Sequence, residues 1–143
     1  MGVLDVPAVS EQIETAFLGL MEATGAFATL LPYEPQALGA LPMLTMIIKR
    51  DDQAVYNTGP SMDATYEWTL ILYLPLEAAW ETSQRLLKRV VPLMRQKMRE
   101  LDNPLVELCD FVELHDDGLD PIFDEQESTL AKILRLRIRR EED

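Results

Sequence analysis

One cysteine, one histidine and no long hydrophobic run are all that these 143 residues offer towards staples, metal centres or membrane spans. Cys109, being single, excludes an intramolecular disulfide framework and suits a reducing compartment. No apolar stretch approaches the roughly 20 residues of a membrane helix. The N-terminus lacks the basic start of a signal peptide, so a soluble cytosolic chain with no membrane partner is expected. Paired cysteines at zinc spacing, a glycine-rich phosphate loop and a Gly-x-Ser-x-Gly elbow are all missing. Catalysis has no motif in its favour, and neither a cofactor nor a metal is expected. A chain of this length makes one domain, residues 1–143, that buries roughly two thirds of its unfolded surface without staples.

Positive charge is scarce too, and unevenly placed. Thirteen Lys and Arg face 25 Asp and Glu, for a net charge of −12. Residues 1–84 hold 2 basic and 11 acidic side chains, and residues 85–143 hold 11 and 14, so the halves carry −9 and −3. Such a field disfavours a DNA clamp, which needs Lys and Arg against phosphates. It reads first as an ordinary solubilising surface, and it does not argue against a channel through which DNA slides without sticking.

What the sequence does have is alternation. In Thr65–Leu74, Tyr66, Trp68, Leu70, Leu72 and Leu74 fall on one face, with Glu67, Thr69, Ile71 and Tyr73 on the other. Leu130–Arg140 repeats the pattern, Leu134, Leu136 and Ile138 alternating with Arg135, Arg137 and Arg139. Both read as long strands with one buried face. Met43–Arg50, opened by Pro42, is a nearly continuous apolar run and reads as a strand covered on both faces. Phe27–Leu31 and Leu105–Leu114 also read as strands. Asp51–Ala64 is polar and holds Gly59-Pro60, so it reads as an unusually long hairpin loop, the sort that binds partners or moves.

Helical spacing appears twice. Val9, Ile13, Phe17, Leu20 and Met21 make one apolar stripe, with Asp5 or Ser10 as cap and Gly25 as a left-handed end. Glu77–Leu101 is the longest helical stretch, and Pro92 is expected to kink or divide it. No internal repeat or low-complexity segment is present, and Glu141-Glu142-Asp143 forms an acidic tail.

Three constellations bear on function. Cys109 and His115, on one presumed strand, would stand roughly 20 Å apart, too far for a nucleophile and its base; they read as a structural thiol and a surface imidazole. Asp116, Asp120, Asp124 and Glu127 fit positions one, five, nine and twelve of a calcium-loop frame. Gly118 and Pro121 spoil that frame and strands flank it, so a solvated turn is expected. The row Arg135, Arg137 and Arg139 either pairs with Glu67 or Glu113 on neighbouring strands or meets acids of another copy.

The order of elements resembles the tail-completion or tail-terminator proteins of long-tailed bacteriophages and prophages. The resemblance spans nearly the whole chain and is carried by Leu41-Pro42-Met43-Leu44, Asp63–Leu74 and Lys132–Arg139. It implies an α+β fold: a mostly antiparallel sheet of four or five strands, with an N-terminal helix and a long Pro-kinked second helix on one face. It also implies a non-enzymatic structural role. Copies, six in the family pattern, would close into a ring that caps the tail tube and joins it to the DNA-filled head. The implied partners are the chain itself, the tail tube protein and a head-completion or connector protein, with DNA as passing cargo. The implied place is the virion tail or neck, after assembly in the host cytoplasm. On this reading Arg135, Arg137, Arg139 and Glu67 make the ring interface, and Asp51, Asp52, Tyr56, Asn57 and Met62 reach the tube or neck. The alternatives are another neck or minor tail component, or a small cytosolic α+β domain binding metal or ligand through His115–Glu127.

Overall fold

Two alternating stretches frame the molecule. The computed structural model describes residues 3–54, 62–76, 80–100, 103–116, 121–124, 126 and 128–142. After a 3-10 turn (Val3–Asp5) the chain forms α1 (Val9–Glu22), β1 (Thr29–Leu31), β2 (Met43–Ala54) and β3 (Met62–Pro75). It continues through α2 (Trp80–Met98), α3 (Leu105–Leu108), β4 (Phe111–His115), β5 (Ile122–Asp124) and β6 (Thr129–Glu142). β3 and β6 pair antiparallel along their whole length, from Met62 opposite Glu142 to Pro75 opposite Thr129.

The sheet runs β1-β2-β3-β6-β4, with the short β5 also on β6. Its pairings are antiparallel except β1 with β2, which is parallel, so the sheet is mixed. A parallel neighbour follows from the connection: the chain leaves β1 at Leu31 and returns to start β2 at Met43 beside Thr29. The order also separates the two halves of the sequence in space. β1, β2 and β3, from the acidic half, occupy one side of the sheet; β6, β4 and β5 occupy the other.

Tyr66, Trp68, Leu70, Leu72 and Leu74 of β3 are all buried, as are Leu134, Leu136 and Ile138 of β6. Tyr66 and Trp68 stack with ring centroids 6.0 Å apart. Against this face pack Ile13, Phe17, Leu20 and Met21 of α1, Val90, Val91 and Met94 of α2, and Leu105 of α3. Each such side chain contributes roughly 1.5–3 kcal/mol of burial.

Several expectations are corrected. Leu105–Leu114 is not one strand. Asn103 Oδ1 accepts the Leu105 N–H at 2.9 Å, and the Cys109 N–H closes on Leu105 O at 2.9 Å, so a helical turn forms first and β4 starts at Phe111. Asp51–Ala64 is not all loop: β2 runs on to Ala54 past a register shift between Ile48 and Arg50, and β3 starts at Met62. Polar residues continue these strands because their ladder partners are supplied by β6 as well as by each other. β2 is buried on both faces only over Met43–Met46; Ile48 is exposed, because β1 ends opposite Thr45. Pro92 does not divide α2, and it lies on the exposed side. Neither Asp5 nor Ser10 caps α1. Ala8 is the N-cap, and its N–H donates to Glu11 Oε1 at 3.1 Å. Gly25 takes the left-handed conformation expected of it, φ 71°.

Adjacent positions on β6 test this assignment of faces. Leu136→Ala should destabilise the fold by about 2–5 kcal/mol, whereas Arg137→Ala should stay within about 0.5 kcal/mol, both read from urea unfolding. Equal losses at the two positions would contradict it.

Candidate assembly surface

The face of the sheet turned away from the helices carries the charge. Register places Arg50, Glu67, Arg137 and Glu113 in one row across β2, β3, β6 and β4. The row beside it is Ile47, Thr69, Arg135 and His115. The row on the other side is Asp52, Thr65, Arg139 and Phe111. The arginines thus stand on one face, as their alternation requires.

Two of the three are occupied within the chain. Arg135 Nη1 lies 3.4 Å from Glu67 Oε1, and Arg139 Nη2 lies 3.5 Å from Asp63 Oδ2. Both pairs are diagonal across the β3–β6 ladder, since Arg135 stands opposite Thr69 and Arg139 opposite Thr65. Both are surface pairs, worth under ~1 kcal/mol each. Glu113 is taken up by the His115 imidazole on its own strand. Arg137, between them, is exposed and has no ion-pair partner among the described residues.

The tube-contact residues are brought together only in part. Asp51 and Asp52 lie in β2, opposite Tyr66 and Thr65, and Met62 opens β3 opposite Glu142. Tyr56 and Asn57 lie outside the described residues. Asp51 and Asp52 therefore belong to the arm of the hairpin, not to its tip.

Among the described residues, Cys109 and the acidic side chains have the following surroundings. Cys109 ends α3 and is not on a strand with His115, so the spacing of an extended strand does not describe their separation. Burial pushes its thiol up to about 11, leaving it protonated and unreactive at neutral pH. In the calcium-like frame, Asp116 pairs with Lys132 at 3.0 Å and Asp124 Oδ1 accepts the Gln126 N–H at 3.0 Å. Asp120 and Glu127 lie outside the described residues. Among the described residues no three His, Cys, Asp or Glu gather as a metal site.

Two polar contacts escaped the sequence reading. Lys132 is buried on the covered face, in phase with Leu130 and Leu134, and holds Asp116. The signal was there: one lysine interrupts an otherwise apolar alternation. Trp68 Nε1–H donates to Glu14 Oε2 at 3.0 Å, joining α1 to the middle of β3. Nothing local in the sequence announces that contact, since 54 residues separate the two. Burial raises the Glu14 carboxyl above its usual range; the Trp68 hydrogen bond opposes this, and the nearby Glu11 charge adds to it.

No family model matches the chain. No curated protein matches it either. Among solved structures, the fold is shared with a chain of the "Virion of native gene transfer agent (GTA) particle", at TM-score 0.50 and 13% identity. The likeness covers 96% of this chain and 100% of that one. At that identity it is a likeness of fold.

Glu14 gives a pH test. A carboxyl raised in the folded state adds stability below its unfolded pKa and loses it as pH rises through the folded value. Glu14→Gln keeps an acceptor for Trp68 without the partly buried charge. It should raise Tm by about 1–3 °C at pH 7, the gain shrinking as pH falls towards 4. A gain that grows on acidification would contradict this cause.

Proposed function

We propose that this protein is a non-enzymatic structural component of a phage-type virion, a tail-terminator-like subunit whose copies close into a ring at the tail end. The ring, of six copies in the pattern the sequence resembles, caps the tail tube and offers a surface to the head-completion or connector protein. It belongs in the tail or neck of the particle, after assembly in the host cytoplasm. The observation that carries the reading is the end-to-end likeness of fold to a virion chain, reached independently of the element order that suggested tail proteins. The likeness supports a virion role; the ring and its position rest on the resemblance and on the surface described above.

A closed ring of identical copies needs a heterologous contact, in which one patch meets a different patch on the next copy. The fold offers such a pair of sides. Eleven of the 13 basic residues belong to residues 85–143, and the half made of α1 and β1 to β3 carries −9. Arg137, exposed and without a partner among the described residues, is the cation assigned to that contact, flanked by Arg135, Arg139 and Glu67. The β2–β3 hairpin, with Asp51, Asp52, Tyr56, Asn57 and Met62, is the arm assigned to the tube or neck. Excess negative charge suits a lumen through which DNA passes without being held.

Charge reversal tests the assignment. Arg137→Glu should leave Tm within about 1 °C of the parent. It should remove the ring-sized product of chemical cross-linking and the caps seen on tube ends by electron microscopy. Unchanged rings and caps would remove Arg137 from the interface.

A further inference from the structure

The two helices that cover the sheet are opposite in charge. α2 holds five basic residues and one acidic one, whereas α1 holds three acidic residues and no basic one. On α2 the exposed positions Arg85, Lys88, Arg89, Arg95 and Arg99 share one side, because they recur at helical spacing about Pro92. Arg99 continues the helix, its N–H bonding to Arg95 O at 3.2 Å. Lys88 and Arg99 have no ion pair among the described residues. In a chain of net charge −12, so concentrated a stripe of cations has a natural partner in another copy of the same chain.

The outer ridges of the two helices match in spacing. Exposed on α1 are Glu11, Thr15, Gly19 and Glu22, and exposed on α2 are Lys88, Pro92, Gln96 and Arg99. Each set steps by four, four and three. The end charges therefore stand about 16 Å apart along each axis and within ~20° of one another around it. Between the acids nothing obstructs approach. Gly19 has no side chain, a Cβ there would meet nothing within 4 Å, and the Thr15 hydroxyl is turned back onto Glu11 O at 3.0 Å. Glu11 keeps one carboxylate oxygen free after accepting the Ala8 N–H.

We infer that the outer face of α1 on one copy docks on the outer face of α2 on the next, Glu11 and Glu22 meeting Lys88 and Arg99. The inference rests on the ring reading and names a contact within it. α1 belongs to the acidic half and packs on β1; α2 belongs to the half with the cations, its Arg95 and Arg99 beside Val112 and Leu114 of β4. α1 and α2 also touch within one chain and lie on the face of the sheet opposite Arg137, so this contact is separate from the one assigned to Arg137. Two running directions satisfy the charges. Parallel helices pair Glu22 with Arg99, and antiparallel helices pair it with Lys88.

Charge-swap variants of the full chain, studied by sedimentation at low and high salt, test this contact. Glu22→Lys alone should weaken assembly about tenfold at low salt, with the monomer's melting unchanged. Combining it with Lys88→Glu restores assembly if the helices are antiparallel, and combining it with Arg99→Glu restores it if they are parallel. Restoration by neither, or a single swap without effect while the parent still forms rings, overturns the helix contact and leaves the ring reading intact. Inert swaps together with salt-sensitive binding of a random-sequence duplex, lost in Lys88→Glu, would also overturn it and assign the stripe to phosphate. A parent that stays at one chain mass up to millimolar concentration overturns the ring and this contact together.

Discussion

The pairing of β3 with β6 is the constraint on which everything else depends. Fourteen consecutive residue pairs hold the two strands in one register. Because side chains alternate with a strict period of two, that register decides both faces at once. A slip by one residue would bring Arg135, Arg137 and Arg139 under the helices and put Leu134, Leu136 and Ile138 in solvent. The apolar face pins the register, and the register displays the arginines. Core and candidate assembly surface are therefore two sides of one decision.

Much of this was legible in the chain. The strands around Trp68 and Leu136 and the helix from Val9 are strongly periodic, and burial follows the period residue by residue. The arginine row was legible for the same reason. Positions where a local signal misled were those decided by a few hydrogen bonds. Leu105–Leu108 has strand-like composition, yet the Asn103 side chain and the backbone of Leu105 and Cys109 wind it into a turn. Residues 51–54 are polar enough for a loop, yet the long neighbouring strand draws them into the ladder.

Contacts between distant parts of the chain were not legible at all. Glu14 with Trp68 and Lys132 with Asp116 each tie different layers or strands together, and nothing in either local stretch names its partner. The segregation of charge is an intermediate case. Sequence counting puts the cations in the second half; only the strand order reveals that the halves are also the two sides of the sheet. A net charge then becomes a directional property of the subunit, the kind a head-to-tail assembly requires.

The most direct test is the mass of the purified protein by light scattering across a wide concentration range, at low and at high salt. The account predicts a species near six chain masses that retreats towards one chain as salt screens the contact between the strongly acidic side and the cations displayed on the other. A closed two-chain species that is indifferent to salt would contradict it, because a two-fold pair would use up the surfaces a ring needs.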